Sequence, residues 1–332
     1  MTASSAQTLE SDSRSFLDPR IVGKLQRLDL IARLVVEGFL TGLHKSPYHG
    51  FSVEFADYRQ YMPGDPVRNV DWKVYAKSDR YYIKQFEEET NLRCHLLIDT
   101  STSMLFRGDP AHYGKHAAAG TPADVGKLRY AISLAAALSY LMIHQQDAVG
   151  LLLFSDRIHR AVPARSVRTH LRVLLRELEV EARRAARREP TEPEPRRTRI
   201  GHCLGQLAER IPRRGLVILM SDLWDENQEE VLAALKHFRY RQHEVVLFHL
   251  QDPAEAEFPY REERVFVDVE TGEQLNVQPW EIAKEYRRRN EARVEFYRRG
   301  CSENRIEYER VLTRTPFDTA LLRYLEKRQR LH

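Results

Sequence analysis

The 332-residue chain predicts an α/β fold: a mostly parallel sheet with helices on both faces, preceded by a helix and a small β-rich segment. Three observations carry this prediction. Val149–Phe154 and Leu216–Met220 are continuous apolar runs without polar alternation, as in parallel strands buried on both sides. Such runs alternate with longer segments of helical period. Short polar segments rich in Asp, Ser and Thr follow the runs, where α/β sheets build their sites.

Residues 1–17 read as disordered. Asp18–Leu43 reads as a helix, with Leu28, Ile31, Val35, Phe39 and Leu43 on one stripe and Asp29, Arg33 and Glu37 as an i, i+4 charge ladder. Gly42 and Pro47 end it. Residues 48–93 form the β-rich segment, with Phe51–Phe55 and Tyr81–Phe86 as alternating strands and Pro63-Gly64-Asp65-Pro66 as a turn. Trp72 is expected as the anchor that packs this segment onto the domain that follows. The α/β domain is assigned to 94–332.

Within that domain His95–Ile98 is a short strand and Lys127–Gln145 a helix apolar on most faces. Val149–Phe154 is a strand, Arg157–Val162 an edge strand and Val167–Arg187 an arginine-rich amphipathic helix. Pro190, Pro193 and Pro195 make 188–198 a loop. Ile200–Ile211 (helix), Leu216–Met220 (strand), Glu226–Arg241 (helix) and Val245–Leu250 (strand) continue the alternation. Arg264–Val277 reads as a hairpin around Thr271-Gly272. Trp280–Asn304 is a charged helix, Ile306–Val311 a strand and Phe317–Arg328 a final helix.

Composition narrows the function classes. Lys+Arg number 52 against 48 Asp+Glu, a formal net charge of +4. Seven arginines and three glutamates between Arg183 and Arg199 hold that whole excess, so no general basic surface for nucleic acid is predicted. No aromatic residue lies in this stretch, which argues against stacking on single strands. An acidic protein partner is its better functional reading, and a solvated helix end its bland one. The first fifteen residues lack the basic and apolar regions of an export signal. The longest uncharged stretch, Tyr130 to Gln146, is too polar and too short to span a bilayer. Cys94, Cys203 and Cys301 form neither a disulfide framework nor a zinc pair, and a reducing cytoplasm is the expected location.

The chemistry-bearing residues follow the strands. Asp99-Thr100-Ser101-Thr102-Ser103, a DxSxS pattern, comes after the first. Ser221-Asp222 comes after Leu216–Met220, and Thr198 stands just before the Ile200 helix. Two carboxylates and three hydroxyls are hard oxygen ligands suited to Mg²⁺ or a similar ion. The alternative for Asp99–Ser103 is a turn whose polar side chains cap a helix. Residues Met104–Gly126 form a long connection, read equally as a partner-selecting lid or a flexible insertion. His112 and His116 have no adjacent third zinc ligand.

Asp99, Ser101, Ser103, Thr198 and Asp222 resemble the metal-ion-dependent adhesion site of von Willebrand factor A-type domains, a Rossmann-like fold. The resemblance implies that the two serines touch the metal, the aspartates act largely through water, and a partner carboxylate completes the shell. Upstream, Glu54-Phe55-x-x-x-Arg59-x-Tyr61-x-Pro63-Gly64-Asp65-x-x-Arg68-x-x-Asp71-Trp72 resembles the signature of the bacterial "domain of unknown function 58" family. That resemblance implies association with a MoxR-type AAA+ ATPase or its client. Arg59, Asp65, Arg68 and Asp71 are read as an ion-paired turn cluster rather than a binding motif.

Enzyme motifs are missing. Gly120–Leu128 fails as a phosphate loop in its glycine spacing and lacks the Ser/Thr, and there is no HExxH or GxSxG. The sequence therefore predicts a non-enzymatic adaptor with Mg²⁺ (or Mn²⁺ or Ca²⁺) at Asp99, Ser101, Ser103, Thr198 and Asp222. A metal-dependent phosphoesterase, with Arg107 and Lys115 near the ion, and a nucleic-acid binder through Arg183–Arg199 are the alternatives.

Overall fold

The computed structural model describes residues 53–62, 70, 72–88, 92–108, 126–187, 199–267, 273–317, 319–321 and 323–324, with backbone alone at 53–59, 73, 78, 83–88 and 187. The expected Asp18–Leu43 helix, the Pro63–Pro66 turn, Arg68, Asp71, His112, Lys115, His116, the 188–198 loop with Thr198, and the Thr271-Gly272 turn lie outside these residues. The chain divides into two compact units, one of residues 36–91 and one that takes up the chain from Leu92.

In the smaller unit, β1 (Val53–Gln60) pairs antiparallel with β2 (Tyr82–Glu88), with a bulge between Phe55 and Asp57. β1 thus runs five residues past the Phe51–Phe55 strand expected from alternation. A helix that alternation did not predict, α1 (Trp72–Ser78), lies between the strands. Trp72 is 55% exposed, and its ring and that of Tyr75 meet edge to face. Tyr75 also stacks on Tyr81, with ring centroids 4.4 Å apart.

The larger unit is built on β3 (Arg93–Asp99), β4 (Ala148–Phe154), β5 (Ile158–Arg165), β6 (Gly215–Ser221), β7 (His243–Gln251) and β10 (Glu307–Leu312). They form one six-stranded sheet in the order β10-β7-β6-β3-β4-β5. All neighbours are parallel except β4 and β5. Only Ser155–Arg157 separate those two, too few residues for a crossover, so the chain must turn back as a hairpin. β3 lies between β4 and β6: Leu96 is in register with Leu151 on one side and Ile218 on the other. This explains its unbroken apolar run.

The helices are α2 (Lys127–His144), α3 (Arg168–Arg187), α4 (Ile200–Arg210), α5 (Gln228–Tyr240), α6 (Pro253–Glu257) and α7 (Pro279–Glu303). Leu97, Leu152, Val217, Leu219, Val245 and Leu247 point to one face, where α4, α5 and Tyr297 and Cys301 of α7 close a core. On the other face α2 packs on the sheet and on α3, and Tyr324 of the last described helical residues meets Phe248 edge-on. All three cysteines are buried and free. The short strands β8 (Arg264–Val267) and β9 (Gln274–Val277) pair antiparallel, as the hairpin reading expected. Among the described residues, no helix is long and apolar enough to cross a membrane.

This order places the reversal of strand order between the parallel neighbours β3 and β6. From β3 the chain builds to β4 and β5 on one side, then returns to β6 and builds to β7 and β10 on the other. Connections that part in opposite directions leave a crevice at the carboxyl ends of those two strands. Asp99 ends β3, and Asp222 follows β6.

Candidate metal centre

The loop after β3 is fixed at both ends. The Thr100 amide and hydroxyl both donate to the Phe154 carbonyl, at 2.7 and 2.9 Å. Thr100 therefore ties the loop to β4 and is not itself part of the constellation. Thr102–Leu105 then makes one turn of 3₁₀ helix, closed by Met104 N–H on the Ser101 carbonyl at 3.1 Å. Met104 is fully buried and holds this turn down. Ser101 stands in extended conformation at the head of this turn, and its hydroxyl lies 3.0 Å from that of Ser103.

Asp99 is fully buried. Its Oδ1 accepts the Ser101 amide at 2.9 Å, and its Oδ2 accepts the Ser221 hydroxyl at 2.6 Å. Ser221 Oγ in turn accepts the Leu223 amide at 2.9 Å, closing a tight turn in which Leu223 has φ of 53°. That turn points Asp222 back over the serines. Ser103 Oγ donates to Asp222 Oδ1 at 3.2 Å, and Trp224 N–H shares the same oxygen at 3.2 Å. Four of the five expected residues, Asp99, Ser101, Ser103 and Asp222, therefore converge. Thr198 lies outside the described residues, although the start of α4 is held at this edge by Gly201 N–H on Asp225 Oδ2 at 3.2 Å.

Two residues at the centre escaped the sequence reading. Lys127 opens α2 and its side chain is 0% exposed. Its Nζ donates to Asp222 Oδ2 at 2.7 Å and also to Glu255 Oε1. Glu255 is set by the capping box of α6: the Asp252 side chain accepts from Ala254 N–H at 2.8 Å, and Glu255 Oε2 accepts the Asp252 amide at 3.0 Å. Only Asp-Pro-x-Glu at 252–255 signalled this device, and nothing local pointed it at Lys127.

Burial and charge explain the electrostatics. Burial, then the nearby charge of Asp222, pushes the Asp99 carboxyl from 3.8 up to about 7. Burial opposes charge on Lys127 too, but the Asp222 and Glu255 carboxylates outweigh it and hold the ammonium above the ordinary lysine range. For Asp222 the same balance favours the charged form, with Lys127 as the main opposing charge to burial.

A divalent ion needs hard oxygen donors. The hydroxyls of Ser101 and Ser103 with the carboxylates of Asp99 and Asp222 form such a set, so the donor chemistry fits Mg²⁺. Among the described residues no three His, Cys, Asp or Glu side chains gather as metal ligands, so the fit rests on the hydroxyls.

The rim carries an aromatic and several cations. Trp224 is 45% exposed, with the Arg293 guanidinium 4.0 Å from its ring centre. β5 runs against β4, its neighbour in the sheet, so α3 begins at the opposite edge and climbs back to this one. Glu181 near its end stands 3.9 Å from His159, whose ring lies 3.3 Å from Thr100 Oγ1. Arg183 and Arg184, both exposed, therefore flank the carboxyl edge. Arg107 is also exposed, in the segment after the 3₁₀ turn.

A mostly parallel α/β sheet with an oxygen cluster at its switch point defines the class. Residues 57–298 match the family described as "Protein of unknown function DUF58", and the chain belongs to that family. It is 28% identical over 256 residues to the uncharacterized protein Rv1480 of Mycobacterium tuberculosis (strain ATCC 25618 / H37Rv), covering 77% of this chain and 73% of the relative. The uncharacterized protein Mb1516 of Mycobacterium bovis matches equally. Among solved structures, an aerotolerance-related membrane protein from Bacteroides fragilis NCTC 9343, with multiple mutations to serines, aligns at 16% identity. That alignment covers 73% of this chain and all of the other (100%), with a TM-score of 0.41. The conserved hypothetical protein BatB from Bacteroides thetaiotaomicron aligns at 16% identity, over 71% and 99% of the chains, with a TM-score of 0.38.

Proposed function

We infer that this chain is a non-enzymatic adaptor of the von Willebrand factor A-like type, acting in the cytoplasm. It captures an acidic group of a protein partner at a metal-ion-dependent adhesion-type site. The single observation that supports the reading is the convergence of Asp99, Ser101, Ser103 and Asp222 at the switch point. These four, with Thr198, would hold Mg²⁺, Mn²⁺ or Ca²⁺. Such an ion supplies, when bound, a strong electrostatic contact for one carboxylate.

The chain's own residues do the rest. Ser221 and the Ser101 amide fix the orientation of Asp99. The 3₁₀ turn presents both serine hydroxyls together. Arg183 and Arg184 draw acidic surfaces toward the edge. Trp224 with Arg293 offers a flat, charged platform of the kind on which interface energy concentrates. Asp99 and Ser221 are both fully buried and bonded to each other, which favours a structural over a catalytic role for them. The upstream signature is the ground for naming a MoxR-type AAA+ ATPase, or its client, as the partner.

The test is binding of the purified full chain to such an ATPase, with Mg²⁺ and then with chelator. Chelation and Asp99→Ala should each abolish capture, and Trp224→Ala should weaken it about tenfold or more. Capture that survives both chelation and Asp99→Ala overturns the metal-dependent reading.

A further inference from the structure

We propose that Lys127 is the resident cation of the oxygen cluster, so that the site assembles without metal and a divalent ion must compete with the lysine for Asp222. This inference rests on the metal-site reading above and adds a residue that acts on the ion.

The geometry carries it. An ammonium is taken wholly out of water only where it is paired, because its desolvation is otherwise prohibitive. Lys127 is paired twice, to Asp222 Oδ2 at 2.7 Å and to Glu255, and the Phe106 ring stands 5.6 Å from its Nζ. Both oxygens of Asp222 are already satisfied by the protein. Oδ2 has Lys127, while Oδ1 has the Ser103 hydroxyl and the Trp224 amide. The Ser101–Ser103 hydroxyl chain ends on that carboxylate. The cluster thus closes on itself, with the charge of one lysine doing what a bound cation does elsewhere.

An arriving divalent ion meets a fixed positive charge that already holds one of its carboxylate ligands. Like charges repel strongly where water is excluded. Lys127 is the first residue of α2, and its side chain is wholly buried between its two carboxylate partners. The lysine therefore weakens the site's hold on a divalent ion, and a partner's acidic group that adds to the coordination strengthens it. A purely structural ion pair makes a different prediction. Its removal lowers stability and leaves metal affinity unchanged.

The experiment uses the full chain, stripped of metal, as wild type and as Lys127→Met. Mn²⁺ is titrated by calorimetry, and melting is followed with chelator and with excess Mn²⁺. Lys127→Met should bind Mn²⁺ about tenfold more tightly or better. Its melting temperature should lie below that of wild type in chelator and rise with excess Mn²⁺ by more than the wild type's does. Equal Mn²⁺ affinity in the two proteins overturns the role of Lys127 and leaves the metal site standing. A folded Lys127→Met that binds no Mn²⁺ removes the metal site and this proposal together. If Lys127→Met does not fold, wild type alone decides. Chelator added to the wild-type chain as purified should leave its melting temperature unchanged, and a fall of several degrees overturns the self-sufficient cluster.

Discussion

At the residue scale, the molecule spends its most unfavourable burials on charge. Lys127 would read, in isolation, as a solvated residue at the head of an apolar helix. Its partners stand 95 and 128 residues away, so nothing local reveals its burial. The DxSxS residues and Asp222 were legible because oxygen-rich turns directly follow apolar strands, and strand ends are where such sheets place sites. Asp147 shows the same tension without a counter-charge. Its Oδ1 accepts the Leu92 amide at 3.1 Å, while its Oδ2 is buried without a hydrogen-bond partner among the described residues. Burial pushes its carboxyl from 3.8 up to about 7. Between those values the folded chain holds a proton that the unfolded chain has released. Stability from this group is therefore present at low pH and lost as pH rises through about 7. Asp147→Asn keeps the acceptor for Leu92 and removes the charge. It should be the more stable protein at pH 8 by about 1–2 kcal/mol, and near wild type at pH 4, in urea unfolding. A wild type more stable than Asp147→Asn at pH 8 would contradict this.

At the scale of elements, the strands were the most legible, because a run buried on both faces needs no periodicity to be seen. Their ends moved by one to a few residues, and β1 moved furthest, since half-exposed alternation is a weaker signal. Helix α1, the 3₁₀ turn and α6 went unseen. Each is seven residues or fewer, too short to establish a helical period. The α4–α5 contact gives the sharpest test at this scale. A Cβ on Gly201 would lie 2.8 Å from Glu230 Cγ and 2.9 Å from the Val231 amide nitrogen, so α4 and α5 touch backbone to backbone there. A Cβ on Gly205, one turn later, meets nothing within 4 Å. Gly201→Ala should destabilise by about 1–3 kcal/mol through overpacking. Gly205→Ala should stabilise by about 0.5–1 kcal/mol through helix propensity. Thermal melting of the pair checks this, and equal shifts would show that the helices are free to separate.

At the scale of the whole molecule, alternation of strands and helices was enough to predict a covered, mostly parallel sheet. It did not give the strand order, because a right-handed crossover can add a strand on either side of its predecessor. Only that order makes β3 and β6 neighbours and so joins Asp99 to Asp222. The sheet also buries neutral histidines, among them His95 on β3 and His243 on β7. Burial lowers each from 6.5 to about 4. Below 6.5 the unfolded chain takes up protons that the folded chain refuses, so their stability is full above that pH and lost as pH falls toward about 4. In the folded chain, the ring proton resonances of both should remain those of neutral imidazole at pH 5.5. Titration of either near its ordinary value would contradict the buried placement.

The central claim is that one site, assembled across the sheet from β3 and β6, takes a divalent ion. Anomalous diffraction from crystals of the full chain grown in a large excess of Mn²⁺ tests it most directly. A single Mn²⁺ peak is expected, touching the Ser101 and Ser103 hydroxyls beside Asp222, with Thr198 on the same ion. A peak elsewhere on the surface, or a cluster in which the serines and Lys127 keep their contacts and no Mn²⁺ enters, would contradict it.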